Sequence, residues 1–373
     1  MKVLLIGGTG TLSTDICKLC LEKKYDVTII NRGNNNKDVP KNVEVLIGDV
    51  RNVSKTKEIL KDRKFDVVID FISFTLDQLK TTLEIFNNRC EQFIFISSAT
   101  AYMKTSKRIT EKTKLENNVW DYASSKIECE KYLEQNFKEK GQRYTIVRPY
   151  VTYGNKRIPF AIIPNNHWTL LNRILIDKPI LLWDGGSAKC TLTNTKDFSK
   201  GIVGLFMNEK AFNNDFHITS DNYLTWKEAL DDIASALGKD AISADIPSSF
   251  ITSERPELKG VLYGDKALDR IFDNSKIKSV VKYFSADIKF KDGIKETIDN
   301  YLKHKEMQMI DYAWYAEIDS LIEKYYKKNG YPENFNKKTL TSKVYKNITL
   351  KNKLRYFIHR HEFIRKIYNL IRR

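Results

Sequence analysis

A tyrosine and a lysine stand four residues apart at Tyr122 and Lys126. Residues four apart on a helix share one face, so the hydroxyl and the ammonium group can point into the same cleft. A nearby cation favours the phenolate of a tyrosine, whose pKa is ordinarily about 10, and such a tyrosine can exchange protons near neutral pH. The pair therefore predicts acid–base chemistry, although the same spacing also occurs on ordinary solvated helices.

A glycine-rich turn lies far upstream, between an apolar segment at 3–6 and an amphipathic segment at 12–22. A dinucleotide-binding fingerprint requires this order of strand, turn and helix. Gly7 permits the tight turn, and Gly10 lets backbone approach a pyrophosphate at the positive helix N-terminus. The third glycine position is Ser13. The turn predicts a dinucleotide site, with a plain loop as the alternative.

Asn31 and Arg32 follow the second predicted strand, 26–30, where such folds commonly have an acid for the adenosine ribose 2′-hydroxyl. Asparagine removes the repulsion that a carboxylate would exert on a 2′-phosphate, and Arg32 can pair with one. The sequence therefore favours NADP, with NAD as the other possibility. The alternative for Arg32 is a solvated turn residue.

Alternating strand and helix patterns position these residues. Further strands are predicted at 43–47, 65–71 and 92–96, with a helix at 76–86. Continuous apolar runs indicate strands covered on both faces. We therefore predict an α/β fold with a doubly wound parallel Rossmann sheet, a smaller C-terminal substrate lobe and a basic helical tail.

The length of 373 residues suggests two lobes, and 42% hydrophobic with 29% charged residues is a globular composition. The predicted dinucleotide-binding domain covers 1–150, with strands returning from 151–220. The substrate lobe is predicted at 151–304, a helical extension at 305–335 and the basic tail at 336–373.

Five motifs occur in a characteristic order. They are Gly7-Gly8-Thr9-Gly10, Gly48-Asp49-Val50-Arg51, Ser97-Ser98-Ala99, the segment from Tyr122 to Lys126, and Arg148-Pro149 followed by Tyr153-Gly154. Over about residues 1–300 the chain resembles the extended short-chain dehydrogenases/reductases, the NAD-dependent epimerase/dehydratase family. Asn31-Arg32-Gly33 and the segment 216–226 resemble an atypical branch that includes chloroplast stem-loop RNA-binding proteins.

The resemblance implies specific roles. Ser98 would hydrogen-bond the reacting oxygen, Tyr122 would exchange its proton, and Lys126 would hold the nicotinamide ribose and tune Tyr122. Thr100 would join Ser98 and Tyr122 in contacting the substrate. The expected cofactor contacts are Gly7, Thr9, Gly10, Thr11, Leu12, Asn31, Arg32, Asp49, Val50, Phe71, Ile72, Ser73, Tyr122, Lys126, Pro149 and Val151.

Two departures from the family pattern restrict the reaction. Dehydratases carry an Asp-Glu pair where this chain has Ala99-Thr100, so water elimination is disfavoured. Val151 replaces an asparagine of the sugar-nucleotide epimerases. We expect an epimerase or dehydrogenase/reductase acting by hydride transfer at a secondary alcohol or ketone, on a nucleotide-activated sugar for surface polysaccharide synthesis.

Two alternatives stay open: a reductase of a non-sugar substrate, and an RNA-binding protein on the same fold. The intact Ser98, Tyr122 and Lys126 favour the enzyme. RNA binding would favour basic residues spread over the body among stacking aromatics, whereas the charge is concentrated at the end of the chain.

Residues 336–373 hold twelve Lys or Arg and one acid, a net +11 out of +16 for the whole chain. A basic amphipathic helix is predicted from residue 351 onward. Its apolar side is expected to hold Leu354, Phe357, Ile358, Ile364, Ile367, Tyr368 and Ile371. This side could pack on the body or a second subunit, contact an anionic membrane, or accompany nucleic acid binding. We expect the tail to be dispensable for catalysis but needed for localisation or assembly.

Other features bear on location and partners. Five cysteines without disulfide-framework spacing fit a reducing cytosol. No pair of the five histidines is accompanied by Cys or acidic residues that could complete a metal site, so no metal is expected. We expect a cytoplasmic protein, with the inner face of the membrane as a possible site for the tail. The expected partner is a small-molecule substrate, a homodimer is possible, and nucleic acid is disfavoured.

Overall fold

The computed structural model describes residues 1–140, 142–160, 162, 164–333, 335–340 and 348–371. The strands are β1 (Lys2–Ile6), β2 (Asp26–Asn31), β3 (Glu44–Ile47), β4 (Phe65–Asp70), β5 (Cys90–Ile96), β6 (Arg143–Pro149), β7 (Thr152–Tyr153), β8 (Ile180–Trp183), β9 (Lys189–Cys190), β10 (Thr193–Asn194), β11 (Asn214–Ile218), β12 (Leu224–Thr225) and β13 (Ser243–Ile246).

The helices are α1 (Thr11–Glu22), α2 (Val53–Leu60), α3 (Leu76–Phe86), α4 (Asp121–Lys140), α5 (Trp168–Leu175), α6 (Thr195–Gly204), α7 (Trp226–Ala236), α8 (Ser248–Glu254), α9 (Lys259–Val261), α10 (Ser275–Val280), α11 (Phe290–Lys303), α12 (Tyr312–Asn329), α13 (Leu350–Arg360) and α14 (Glu362–Ile371). None of these described helices is long and apolar enough to cross a membrane.

The chain forms two compact units. The first contains Met1–Gly154, Thr191–Tyr223 and Asp269–Lys289, and the second contains the remaining segments up to the C-terminus. These boundaries differ from the predicted domains at 151–304, 305–335 and 336–373, because the chain returns to the first unit twice. The helical extension and the tail are parts of the second unit.

A seven-stranded sheet forms the centre of the first unit, in the order β11-β6-β5-β4-β1-β2-β3. Every pair of neighbours is parallel. The chain changes direction across the sheet between β1 and β4, and in sheets of this kind the ligand crevice lies outside the carboxyl ends of the strands at that point. The predicted doubly wound Rossmann fold is confirmed.

The alternation of side chains along β1 shows why this sheet is covered on both faces. Val3 and Leu5 belong to one core cluster, with α1 and α6 residues such as Ile16 and Phe198. Leu4 and Ile6 belong to the opposite cluster, with residues of α3 and α4. Successive strand residues point to opposite faces, so a continuous apolar run is buried on both sides.

The start of helix α6 differs from what the sequence predicts. Asp197 stands near the start of the predicted helix, where an acid is a common N-cap. The N-cap is instead Asn194, whose side chain accepts a hydrogen bond from Lys196 N at 2.9 Å. Asp197 lies inside the helix, nearly fully buried, and its carboxylate accepts Ile288 N–H at 2.9 Å. The acid therefore holds a distant loop instead of the helix end.

The second unit contains the tail. Helix α13 lies along α12, and its Tyr356 is only 1% exposed. The tail was predicted as one amphipathic helix, but it forms two helices separated at His361. Among the predicted apolar side, Leu354, Phe357 and Ile367 are exposed; Ile358, Ile364 and Tyr368 are half-buried; the side chain of Ile371 lies outside the described residues.

Candidate active site

Lys126 lies on the inward face of α4 and is 2% exposed. Its Nζ donates to two carbonyl oxygens, those of Ser73 and Ile96, each at 2.7 Å. Burial lowers the pKa of this ammonium to about 8, partly opposed by the charge of Asp70. The lysine is thereby fixed beside the carboxyl ends of β4 and β5.

Tyr122 is the second residue of α4, one helical turn before Lys126, and it is half-buried. Its ring lies 6.4 Å from the ring of Phe74 and 5.1 Å from that of Trp120, measured between centroids. Lys126 Nζ lies 5.0 Å from the same Phe74 ring. Phe74 therefore neighbours both members of the proposed acid–base pair, and it was not singled out from the sequence.

Ser98 and Thr100 follow β5, and both are buried. Their hydroxyl oxygens are 2.9 Å apart, and Thr100 N–H also donates to Ser98 Oγ at 3.3 Å. Asn117 holds this turn by donating from Nδ2 to Thr100 O at 2.8 Å, and Ser124 Oγ of α4 donates to Asn117 O at 2.9 Å. The two hydroxyls form one polar pair connected to the helix of Tyr122.

The glycine turn has the shape that a pyrophosphate requires. Gly7 has a φ of +84°, and a Cβ added there would lie 2.4 Å from a methyl carbon of Ile72. At Gly10 an added Cβ would meet only Ser13 Oγ at 3.6 Å and Gly7 O at 4.0 Å, so space remains beside it. No acid stands in the first turn of α1. An anion can therefore approach the helix N-terminus.

Ser13 explains the missing third glycine. Its Oγ accepts Gly10 N–H at 2.8 Å and lies 3.2 Å from Gly7 O, to which it can donate. The side chain is 1% exposed. The hydroxyl therefore ties the two ends of the turn together, and the helix still packs closely. Thr9, Thr11 and Leu12 are half-buried around the turn, with Leu12 packed on the core.

The loop after β2 is organised by Asn31. Its Oδ1 accepts Gly33 N–H at 2.7 Å, and its Nδ2 donates to Asn36 Oδ1 at 2.7 Å. Arg32 is exposed. No carboxylate occupies position 31, and the arginine is accessible to an anionic group.

Arg51 joins the loops that follow β3 and β4. Its guanidinium donates to Ile72 O at 2.8 Å and to Gln78 O at 2.9 Å. Asp49, exposed, accepts Arg51 N–H at 2.9 Å, while Val50 is buried. Arg51 therefore connects the loop of the predicted adenine contacts, Asp49 and Val50, to the turn predicted to line the cofactor path. The sequence pattern includes this arginine in a motif but does not indicate its role.

Asp70 shapes the turn that contains Phe71, Ile72 and Ser73. Its Oδ1 accepts Ile72 N–H at 2.9 Å and Ser73 N–H at 3.1 Å. The residue is 0% exposed, and its Oδ2 has no partner in the described part of the chain. Asp70 therefore fixes the turn whose Ser73 carbonyl holds Lys126, a role that the sequence pattern alone does not indicate.

Pro149 and Val151 follow the same edge of the sheet. Pro149 is the last residue of β6 and is half-buried. Val151 is buried, and its carbonyl accepts Thr193 N–H at 2.9 Å. Apart from Tyr122 and Lys126 on α4, the predicted cofactor positions thus lie at or shortly after the carboxyl ends of strands in the first unit.

A buried network behind these residues was not anticipated. Glu130, two turns after Tyr122 on α4, forms an ion pair with Arg148 of β6 at 2.6 Å. Arg148 donates to Tyr102 Oη at 2.9 Å, and Tyr102 lies 3.2 Å from His217 Nδ1. Burial lowers the pKa of His217 to about 4, so it is neutral and structural. Within the described residues, no cluster of three or more His, Cys, Asp or Glu could hold a metal.

The chain was compared with known proteins. The model of the NAD dependent epimerase/dehydratase family matches residues 3–218. The chloroplast stem-loop binding protein of 41 kDa b from Arabidopsis thaliana is 26% identical over 254 residues, which is 64% of this chain and 62% of that protein. A UDP-glucose 4-epimerase from Lactobacillus helveticus is 27% identical over 174 residues, 41% of this chain and 52% of the relative. The matches thus span between half and two thirds of these relatives.

A solved structure of UDP-glucuronic acid 4-epimerase from Bacillus cereus, in complex with UDP-glucuronic acid and NAD, superposes with a TM-score of 0.67. It shares 18% identity and covers 81% of this chain and 99% of its own. This likeness concerns the fold. The family model matches more than half of the chain, including the glycine turn and Tyr122, and the chain therefore belongs to the NAD-dependent epimerase/dehydratase family.

Proposed function

We propose that the protein is an NAD(P)-dependent epimerase or dehydrogenase/reductase that acts on a secondary alcohol or ketone of a nucleotide-activated sugar. One observation carries the proposal: the Lys126 ammonium is held by two carbonyls, one helical turn from Tyr122 and at the sheet edge of the glycine turn. A buried ammonium in this position supplies a fixed positive charge for proton transfer.

The chain's own residues support dinucleotide binding. Gly7 allows the tight turn, Gly10 leaves room for the pyrophosphate, and Asp49 and Arg32, the residues proposed to face the adenosine, are exposed. When bound, the nicotinamide ring accepts or returns a hydride. Lys126 is the group that would hold its ribose.

In the proposed oxidation, Tyr122 as phenolate takes the proton of the substrate hydroxyl. Ser98 donates a hydrogen bond to the same oxygen, with Thr100 next to it. The substrate C–H bond breaks, both of its electrons leave with the hydride, and a carbonyl forms. If the hydride returns to the opposite face of the carbonyl carbon and Tyr122 returns the proton to the oxygen, the product is the epimer. If the ketone is released instead, the reaction is that of a dehydrogenase.

The substrate class is proposed from the similarity to a UDP-glucose 4-epimerase, which is 27% identical over 174 residues. A UDP-glucuronic acid 4-epimerase shares the fold. The use of such a sugar for surface polysaccharide, in the cytoplasm, is part of the proposal. A homodimer is a further part of it, tested by molar mass in solution.

Asn31 and Arg32 support NADP as the preferred cofactor. The asparagine uses both polar atoms within its own loop, so it neither repels a 2′-phosphate nor supplies the carboxylate that would grip a 2′-hydroxyl. Arg32 is exposed and can pair with a phosphate.

The experiment has two parts. Mass spectrometry of ligands released from gently purified protein is expected to find NADP or NAD, with a nucleotide sugar. Tyr122→Phe is expected to abolish turnover and to change cofactor affinity by only a few-fold, because it removes only the proton carrier. Trp120→Phe, which alters the neighbouring ring, is the matched control. Turnover of Tyr122→Phe above about a tenth of wild type would exclude Tyr122 from the mechanism.

RNA binding on the same fold is the second candidate. It is favoured by the similarity to the chloroplast stem-loop binding protein and by the basic tail. Titration of a labelled stem-loop RNA at two salt concentrations tests it. Tight binding without any released dinucleotide would favour this candidate over the enzyme.

A further inference from the structure

The tail helices α13 and α14 belong to the second unit and contact the rest of it through one side. Tyr356 of α13 donates from its hydroxyl to Asp319 Oδ2 of α12 at 2.8 Å. Asp319 is fully buried and also pairs with Arg173 at 2.8 Å and with Lys178. This buried group fixes which side of α13 faces the protein.

Basic residues on the same side are neutralised within the unit. His359 Nδ1 lies 2.7 Å from Glu317 Oε1, and Arg360 pairs with Glu323. Arg365 of α14 lies 3.9 Å from Glu317. The acids of α12 thus pair with the inward basic groups, while the more exposed Arg355 of α13 lies 3.6 Å from Asp311.

Each tail helix exposes an apolar triplet with the spacing i, i+4, i+7. In α13 it is Leu350, Leu354 and Phe357, and in α14 it is Phe363, Ile367 and Leu370. Residues at this spacing share one helix face. The six side chains are between 43% and 83% exposed, which is unusual for large apolar groups.

On α13 this apolar face lies opposite the buried Tyr356. Lys351 and Lys353, both exposed, stand on either side of it along the helix surface. Glu362 is the one acid among residues 336–373. An apolar strip flanked by lysines is the composition of a helix that lies in the headgroup layer of an anionic membrane.

We propose that the outward faces of α13 and α14, hereafter the tail surface, dock onto an anionic lipid bilayer. The six apolar side chains enter the headgroup layer, and Lys351 and Lys353 meet lipid phosphates. The tail surface is defined by Leu350, Lys351, Lys353, Leu354, Phe357, Phe363, Ile367 and Leu370. The inference is independent of the proposed reaction, since no residue of the active site belongs to this surface.

The positive charge of the tail surface favours an anionic bilayer over a second copy of the chain or a nucleic acid. A second copy would bring the same net positive surface against itself, and like charges repel. Nucleic acid would accept the lysines but would leave six large apolar groups in water. An anionic bilayer satisfies both features at once.

The test is sedimentation of the full-length protein with vesicles. Vesicles of phosphatidylcholine with about one third phosphatidylserine are compared with pure phosphatidylcholine, at about 0.1 M and 0.5 M salt. We expect binding to the anionic vesicles that falls at high salt, and little binding to the neutral ones.

Two variants locate the contact. Leu354→Ser combined with Phe357→Ser is expected to weaken vesicle binding at least about ten-fold, and Lys351→Gln combined with Lys353→Gln at least about five-fold. The control variant replaces exposed apolar residues of the same unit outside the tail, Leu302→Ser with Met309→Ser, and is expected to bind like wild type.

The outcomes separate the possibilities. Circular dichroism and thermal midpoints that match wild type show that the variants fold, as expected for exposed positions. Absence of binding to anionic vesicles overturns the proposal, and so does unchanged binding of the Leu354/Phe357 variant. If the wild type does not bind vesicles but binds a stem-loop RNA, and the lysine variant does not bind that RNA, the tail surface is assigned to nucleic acid instead. If the wild type does not bind vesicles and the Leu354/Phe357 variant has a lower molar mass than the wild type, the tail surface is assigned to contact with a second copy of the chain.

Discussion

Lys126 Nζ donates a hydrogen bond of 2.7 Å to the carbonyl oxygen of Ser73. That carbonyl belongs to a turn whose amides are held by the buried carboxylate of Asp70. The lysine that is proposed to tune Tyr122 is therefore positioned by the loop expected to line the cofactor path. The proposed cofactor binding and the proposed proton transfer would therefore depend on the same turn.

The charge of Asp70 is expected to set the alkaline limit of turnover. Because burial lowers the pKa of Lys126 to about 8, kcat/KM should fall as pH rises above about 8 and the ammonium is lost. Asp70 raises this pKa, so Asp70→Asn should move the fall to lower pH by roughly one pH unit. Asparagine keeps an acceptor for the amides of Ile72 and Ser73. Asp66→Asn, on the same strand, is the control, and identical pH profiles for all three proteins would contradict the prediction.

Arg32 is expected to select NADP. Arg32→Ala should weaken NADP about ten-fold and leave NAD affinity nearly unchanged, because it removes a charge-assisted contact to the 2′-phosphate alone. Fluorescence titration of both cofactors measures the ratio. Lys37→Ala, an exposed base in the same loop, is the matched control. An unchanged NADP/NAD ratio in Arg32→Ala would make Arg32 a solvated turn residue.

Tyr356 is expected to stabilise the second unit. Tyr356→Ala should lower the free energy of unfolding by about 3 kcal/mol, because it opens a cavity and removes a hydrogen bond from the buried Asp319. The adjacent Phe357→Ala, on the exposed side of α13, should cost less than about 0.5 kcal/mol. Denaturant titration compares the two. Equal effects would show that Tyr356 contributes no more to stability than an exposed residue of α13.

His217 is expected to make the fold sensitive to acid. Its pKa is about 4 in the folded protein and ordinarily 6.5, so between these values the unfolded chain binds a proton that the folded chain does not. Stability should therefore fall as pH drops from about 6.5 towards 4. By pH 5 the wild type should lose about 2 kcal/mol more than His217→Asn does.

Unfolding titrations at pH 7 and pH 5 measure this difference. His304→Asn, at an exposed position, is the control and should lose as much as wild type. The groups around His217 are Tyr102, Glu111, Arg148 and the Asp273 carbonyl. If wild type and His217→Asn lose equal stability, His217 already carries its proton in the folded state.

Local pattern was sufficient to predict the central sheet. Strand β4 ends one residue before its predicted end, and α3 has the predicted bounds, because apolar periodicity and an N-cap at Thr75 are properties of short segments. The same is true of Tyr122 and Lys126, whose relation is set by helical spacing alone.

Partners that are distant in the sequence could not be predicted in this way. Asp197 stands near a helix start, as an N-cap would, but its carboxylate accepts hydrogen bonds from Lys200 and from Ile288 N–H, 91 residues away. The topology determines which elements meet. It brings Arg148 to Glu130 and Tyr356 to Asp319. The amphipathic pattern of the tail also misled, because two opposite faces are apolar or aromatic and only the packing shows that Tyr356 faces inward.

Helix α4 carries Tyr122, Lys126 and Glu130 at intervals of four residues. The first two face the proposed chemistry, and the third is locked to Arg148 of the central sheet. Each residue inserted between them would rotate the later ones by about 100°, so the ion pair and the acid–base pair would lose their alignment together. The eight-residue interval from Tyr122 to Glu130 is therefore constrained by the ion pair that joins α4 to the central sheet as well as by the proposed chemistry.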